Sequence, residues 1–359
     1  IRDLIEHLST RKLGNKNYPA DLMGDAYEIL LKKFADDSKA QAGEFYTPRS
    51  VVNLLVRILD PQPGETVYDP ACGSGGMLIE AIQHMNHSSL CCGTIFGQEK
   101  NVVNSAIAKM NLFLHGASDF NIMQGDTLRS PKILQNGEIA KFDCVIANPP
   151  FSLEKWGSVE WASDKYGRNV WGTPSDSCGD YAWIQHMVKS MAPGNGRMAV
   201  VMPQGVLFRG NEEGRIREKL VKSDLVEAIV TLGDKLFYGT GLSPCFMILR
   251  RLKPATHSAR VLMIDGTKIL TAKRAQNILS PEDVNRLYEL YCNYEDVEDF
   301  SKVVTIDDIA AKGYDLSPNK YVNYHKEEIR PYTEVLAEFK AAYEEVLKRE
   351  AEFEKLIKA

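Results

Sequence analysis

Cysteine is sparse and unpaired in pattern. The 359-residue chain holds seven, and no two stand at C-x-x-C spacing. An odd count without that spacing offers neither a disulfide framework nor a zinc site, and a reducing cytoplasm is the simplest setting for such thiols. Cys91 and Cys92 are adjacent in an apolar run, where thiols behave as small hydrophobes. Long apolar runs are missing as well. The longest, such as Met198–Met202, are strand-sized and far short of the ~18 residues of a membrane-spanning helix. The first fifteen residues mix charged and apolar positions, unlike a signal peptide. The chain opens on Ile1 rather than Met, so a further N-terminal domain is expected ahead of it. A basic excess is also absent: the net charge is −5 and the pI about 5.9. Proteins that coat nucleic acid unaided usually carry a positive balance, so such contact would need a local basic surface or a basic partner. There is no internal repeat and no low-complexity tract.

What remains is an ordinary globular composition, 44% hydrophobic and 25% charged, long enough for one large domain with appendages or for two domains. Leu22, Met23, Ala26, Tyr27, Leu30 and Phe34 recur at helical spacing within Asp21–Phe34, and a second amphipathic run covers Val51–Leu59 before Pro61 and Pro63. Short apolar runs then predict strands at Thr66–Tyr68, Gly93–Gly97, Asn121–Gln124, Asp143–Ala147, Met198–Met202, Val226–Thr231 and Cys245–Leu249. Helical patterns fall between them at Met77–His84, Val102–His115, Tyr181–Met191 and Gly214–Val221. Strand–helix alternation of this kind predicts an α/β fold with a mostly parallel sheet covered on both faces.

Chemistry-bearing residues sit at the ends of these strands. DPACGSGGML, Asp69–Leu78, follows the first strand and opens a helix, and Gly73, Gly75 and Gly76 let backbone approach a ligand closely. Its spacing is neither that of a dinucleotide fingerprint nor that of a P-loop, and a tight turn without a ligand is the plain alternative. Glu99 ends the second strand, where a carboxylate can accept from both hydroxyls of a ribose. Asp126 follows the third, in reach of an adenine amino group. Singly, each reads equally well as a cap or turn residue; in order with the glycine turn they describe a pocket for an adenosine-containing cofactor. NPPF, Asn148–Phe151, ends the fourth strand. The amide oxygen of Asn148 and the carbonyl of Pro149 can hold both hydrogens of an exocyclic amine, Pro150 stiffens the turn, and Phe151 can stack on the ring bearing that amine.

These residues resemble the adenine-N6 and cytosine-N4 DNA methyltransferases and, within them, the modification subunit of type I restriction-modification systems. The resemblance runs from DLMGDAYEILLKKFA at Asp21 through GEFYTPR, DPACGSGGML, GQEKN, QGD, NPPF, DYAWIQHM and GRMAVVMPQGVLF to YDLSPNKYV, which ends at Val322. It implies a Rossmann-like S-adenosylmethionine-dependent methyltransferase fold with a mostly parallel seven-stranded sheet, a helical N-terminal remnant and a C-terminal heptad helix. It further implies that Glu44, Phe45, Tyr46, Thr47, Pro48 and Arg49 wrap the methionine part of S-adenosylmethionine. Asp69, Gly73, Ser74, Gly75 and Gly76 would approach it from the glycine turn, Glu99 would take its ribose and Asp126 its adenine. Asn148, Pro149, Pro150 and Phe151 would hold an adenine extruded from DNA. The implied partners are DNA, a DNA-specificity subunit, a second copy of the chain and a restriction/translocase subunit, with no membrane. Only about forty residues precede GEFYTPR, where the family has a substantial helical domain. Methyltransferases acting on cytosine N4 or on a protein glutamine share the prolyl turn and stay open as alternatives, as does a scaffold with a vestigial site.

The expected division is 1–42 helical, 43–275 catalytic, 276–324 an acidic helical extension, and 325–359 a docking helix. Residues 250–274 hold seven basic side chains against Asp265 alone, and 277–317 hold ten acidic against three basic. After the last core strand near Leu249 nothing reads as a base-reading domain, which is a reason to expect a separate reader. In the tail, Leu336, Tyr343 and Ile357 repeat at seven with Glu350 as the polar intruder, interleaved with Tyr332, Phe339, Val346 and Phe353. Such a narrow seam calls for a partner helix or packs back onto its own domain. Between Ser152 and Gly179, Trp156, Trp161 and Trp171 mix with Lys155, Lys165 and Arg168. That segment reads either as a loop ordered by displaced nucleic acid or as a surface loop whose tryptophans pack.

Overall fold

The computed structural model describes residues 47–86, 93–237, 243–273, 276–325 and 332–358, together with Glu6. The Asp21–Phe34 helix, Glu44, Phe45, Tyr46, Cys91 and Cys92 lie outside the described residues. The chain divides into two compact units, Ile1–Asn323 and Tyr324–Ala359. Among the described residues, no helix is long and apolar enough to cross a membrane.

The first unit is built on strand–helix alternation. Helix α1 (Arg49–Leu59) buries every apolar side chain it carries and ends at Asp60, which takes the left-handed conformation (φ 47°) just before Pro61. Then follow β1 (Val67–Asp69), α2 (Gly76–Asn86), β2 (Ile95–Glu99), α3 (Val102–Leu114) and β3 (Phe120–Gln124). The Asn101 side chain caps α3 by accepting from the Val103 and Asn104 amides. A small hairpin of β4 (Leu134–Gln135) and β5 (Glu138–Ile139) precedes β6 (Cys144–Ala147). Short helix α4 (Ser158–Ala162), α5 (Asp180–Ser190), β7 (Arg197–Pro203), α6 (Asn211–Lys222), β8 (Val226–Leu232) and β9 (Pro244–Arg250) complete the expected series.

All seven expected strands are present, but the sheet has nine, in the order β11-β10-β8-β9-β7-β6-β1-β2-β3. The run from β3 to β7 pairs in parallel, whereas β9 is antiparallel to both β7 and β8. Strand β10 (Arg260–Gly266) pairs in parallel with β8, and β11 (Ser301–Thr305) closes the edge antiparallel to β10. The expectation of a last core strand near Leu249 is therefore corrected. Both extra strands lie among charges that dominate a composition reading, and two of the basic ones are paired across the fold. Arg250 bonds Glu227 at 2.5 Å, and Lys253 pairs with Asp224. Between the two strands, α7 (Pro281–Asn293) starts with a capping box in which the Ser280 hydroxyl accepts from the Asp283 amide; α8 (Ile306–Ala311) has the same device at Thr305 and Asp308. The segment expected as a helical extension thus also supplies an edge strand.

Side-chain alternation along the strands feeds two apolar layers. Ile146 of β6 points into a layer shared with α1, α2, part of α3 and α7, while Val145 and Ala147 point into one shared with α5, α6 and α8. In the second unit, α9 (Tyr332–Lys358) is a 27-residue helix. Tyr332, Phe339, Tyr343, Val346 and Phe353 are exposed along it, and the Phe339 and Tyr343 rings stack at 6.3 Å. Leu336 is half-buried; the side chain of Ile357 lies outside the described residues.

Candidate active site

Parallel strands end together, so the turns after β1, β2, β3 and β6 share one edge of the sheet. After β1 the chain must reverse into α2 within a few residues, which Gly73 (φ +52°) and Gly75 (φ +86°) permit. A Cβ on Gly75 would touch Ala108 of α3 at 3.5 Å, so the turn lies close against that helix. Both oxygens of Glu99 are tied to backbone: Oε2 accepts from the Gly73 amide at 2.9 Å and Oε1 from the Asn101 amide at 2.7 Å. The glycine turn and the end of β2 are thereby one piece. Asp69 is buried and accepts the Ala71 amide at 2.9 Å. Burial, with the Glu99 charge adding to it, pushes its carboxyl up to about 8. Asp126 pairs with Lys100 at 3.0 Å and accepts from the Arg129 amide.

Side chains given no role in the reading of the sequence hold these turns. Gln98, wholly buried, donates to the carbonyls of Gly125 and Ser130 and accepts from the Lys132 amide. Asn111 donates to the Ser74 carbonyl at 3.1 Å, and the Thr127 hydroxyl to the Pro70 carbonyl at 2.6 Å. Each reads in sequence as an ordinary helix or strand residue, so only the fold reveals it.

At the end of β6, Asn148 donates its Nδ2 to the Thr47 hydroxyl at 2.8 Å. Its Oδ1 is enclosed and, among the described residues, accepts no hydrogen bond. An enclosed, unused amide acceptor is costly unless something donates to it. Pro149 is buried and Pro150 exposed. The Phe151 ring stands 6.5 Å from that of Phe237. Ser152 takes φ +49° and donates its amide to the buried Asp180 at 2.7 Å, which fixes the exit of the prolyl turn. Thr47, Arg49, Asp69, Gly73, Ser74, Gly76 and Asn148 line one cleft of about 720 Å³, open to solvent. Pro48 precedes α1 at its mouth, and Met77, Glu80, Gln83 and His115 complete the wall.

The Ser152–Gly179 segment is packed rather than held open. Trp156 and Trp161 are buried with their rings edge-on at 5.5 Å, and Gly179 is required because a Cβ there would meet the Trp156 ring at 2.9 Å. Arg168, 2% exposed, lies over the Trp161 ring and pairs with Asp164 at 2.7 Å. It also donates to the carbonyls of Thr127 and Leu128, just after Asp126, at 3.0 and 2.9 Å. Its Nη1 lies 3.4 Å from His186, whose other ring nitrogen is 3.1 Å from the Tyr68 hydroxyl. Burial first, then the Arg168 charge, hold the His186 imidazole well below its usual pKa, so it is neutral. Of the two readings of this segment, the packed one holds for Arg168 and these two tryptophans: they tie the segment after the prolyl turn to the turn after β3. Trp171 is half-buried, and Lys155 and Lys165 are exposed.

The N-6 DNA Methylase family matches residues 19–329. The chain is 36% identical over 313 residues to the type I restriction enzyme MjaVII methylase subunit of Methanocaldococcus jannaschii, covering 84% of this chain and 53% of that protein. It is 31% identical over 351 residues to the HindI methylase subunit of Haemophilus influenzae, covering 94% and 77%. A solved type I restriction-modification methyltransferase subunit from Streptococcus thermophilus superposes with a TM-score of 0.78 at 30% identity, covering 87% of this chain and 66% of that one. The chain spans 53–59% of the length of its archaeal relatives.

Two expectations follow from the buried charges. The folded state holds the Asp69 proton up to about pH 8 against 3.8 in an ordinary aspartate, so the stability that this proton confers is lost as pH rises across that window. Asp69→Asn cannot ionise; its melting temperature should exceed that of the parent by a margin that widens up to about pH 8 and then levels off. A margin independent of pH would show that Asp69 is not buried as described. Arg168→Gln leaves the Asp164 carboxylate and two carbonyls buried without their donor, which should cost ~3–5 kcal/mol in urea unfolding, as for a broken buried pair. Arg168→Lys, which keeps the charge but loses the planar fork, should fall between.

Proposed function

Because the chain belongs to the N-6 DNA methylase family, we propose that it transfers a methyl group from S-adenosylmethionine to N6 of an adenine in DNA, as the modification subunit of a type I restriction-modification complex. The observation that carries this reading is the Asn148 amide. With its nitrogen committed to Thr47, its enclosed oxygen is an acceptor awaiting a donor at the edge of the glycine-turn cleft.

The donor set fits the cofactor. Asp69, once ionised, offers a buried anion to the positively charged end of the ligand, and Gly73 to Gly76 offer an approach unhindered by side chains. Glu99 and Asp126 stand at the next two strand ends for ribose and adenine, and Thr47, Pro48 and Arg49 close the methionine side. When bound, S-adenosylmethionine supplies a methyl group already electrophilic on its sulfonium. The chain's own task is then the amine. In adenine the N6 lone pair is delocalised into the ring; hydrogen bonds from its two protons to the Asn148 oxygen and the Pro149 carbonyl localise it and orient it. Phe151 offers a face for stacking, which requires the base to have left the duplex. No covalent enzyme intermediate is involved: Cys144 is fully buried inside β6, and burial pushes its thiol far above its ordinary pKa. Orientation and exclusion of water supply the acceleration.

The exposed seam of α9 is the surface for a DNA-specificity subunit. A second copy and a restriction/translocase subunit complete the assembly, in the cytoplasm. Arg250 and Lys253, two of the seven basic residues at 250–274, are spent on ion pairs within the fold, which supports a reader supplied by another chain.

Labelled methyl should appear in DNA incubated with the assembled complex, and digestion should return it as N6-methyladenine; N4-methylcytosine or labelled protein would reject the reading. Asn148→Ala should lower transfer about 100-fold or more, the scale of losing one positioned hydrogen-bonding group, with cofactor binding unchanged. Deleting the residues after Tyr332 should likewise preserve cofactor binding but abolish co-purification with the specificity subunit. Normal assembly of that truncation would make the seam ordinary surface.

A further inference from the structure

Two stretches without a role in this reading, MPQGVLF and YDLSPNK, meet at a second cavity. It is open to solvent, has a volume of about 470 Å³, and is lined by residues that include Gln204, Phe208, Asp265, Thr267, Asp315 and Lys320. The stretches are fastened to each other: the Leu316 amide donates to the Leu207 carbonyl at 2.9 Å, and Arg217 donates to the carbonyls of Tyr314, Val206 and Arg209. The floor is the carboxyl end of β8 and β10, where Thr231 and Asp265 are register partners and both are buried. Asp265 accepts from the Thr267 amide and hydroxyl at 3.0 and 2.6 Å, which fixes its carboxylate at the floor. Asp315 pairs with Lys320 at 2.5 Å. Burial opposes ionisation there, but Lys320 and the Ser317 donors hold the Asp315 carboxyl below its usual range. Phe208 stands at the mouth with 55% of its surface exposed.

The charges decide what fits. Among the described lining residues two carboxylates stand against one ammonium, which disfavours a phosphodiester, whereas an exposed ring beside buried polar groups suits a planar heterocycle with an N–H on its edge. The position narrows it further. Asn148 follows β6, and β8 lies three strand spacings along the same edge, about 14 Å away. That is comparable to the width of a base pair. When a target adenine leaves the duplex, its partner thymine is left with an unpaired N3–H between two carbonyls.

We infer that this cavity takes the unpaired base opposite the extruded target, stacked on Phe208, with its N3–H donated to Asp265 and its carbonyls facing Lys320 and Asn319. The inference rests on the DNA-methyltransferase reading and adds a second nucleobase site to it. Holding the orphaned base would slow collapse of the opened pair and prolong the target's stay at Asn148.

The test uses the assembled complex on a duplex carrying its methylation site, with 4-thiothymidine opposite the target adenine as a zero-length photocross-linker. Irradiation should attach that base to Phe208 or to the 315–320 stretch, located by mass spectrometry. Phe208 is exposed, so Phe208→Ala leaves the core intact. It should cut the cross-link yield about fivefold or more, the lower end of a base–aromatic stack, with cofactor binding unchanged, and Phe208→Tyr should restore it. Cross-linking elsewhere, or a yield indifferent to Phe208→Ala, in a complex that methylates DNA normally overturns this inference alone. A wild-type complex that transfers no methyl to DNA overturns the underlying reading instead.

Discussion

Parallel pairing from β3 to β7 is the constraint from which the site follows. Strands that run the same way must be joined by crossovers, and their carboxyl ends then share an edge where ladder hydrogen bonding stops. Backbone groups in the turns beyond that edge need other partners. Here the Gly73 amide turns to Glu99, the Ala71 amide to Asp69, and the Ser152 amide to Asp180. Acidic side chains at strand ends therefore serve the fold before they serve a ligand.

A second layer of polar groups keeps the turns in register with one another. Gln98 spans the loop after β3, Thr127 ties that loop to Pro70, and Arg168 reaches it from the far side of the prolyl turn. The prolyl turn and the turns after β1 and β3 are thus joined through buried hydrogen bonds rather than through a flexible linker. Such networks are stiff because each donor left alone would be buried without water. A neutral His186 between Arg168 and Tyr68 belongs to the same economy: a second positive charge there would face the guanidinium in a dry environment.

Charge is used differently at the other end of the sheet. Glu227, buried on β8, collects Arg250, Tyr291 and His257, and Lys253 takes Asp224. Two of the basic residues that look like a patch in one dimension, Arg250 and Lys253, are thus neutralised within the fold, while Arg260, Lys268 and Lys273 stay exposed.

By itself, the sequence determined the elements whose signal is local. Seven strands and the helices between them are legible because apolar runs and 3.6-residue periodicity report burial directly, and the glycine and prolyl turns are legible because their backbone demands particular residues. The positions of Asp69, Glu99 and Asn148 were readable for the same reason, each closing or immediately following a strand. Tertiary structure alone decided the rest. Whether Arg168 faced nucleic acid or the interior depended on Asp164 and two carbonyls some forty residues upstream. Whether the charged stretch after Leu249 was surface or sheet depended on Glu227 and Asp224. Cross-strand partners leave no periodicity in the chain, and a buried ion pair and an exposed one are spelled with the same letters.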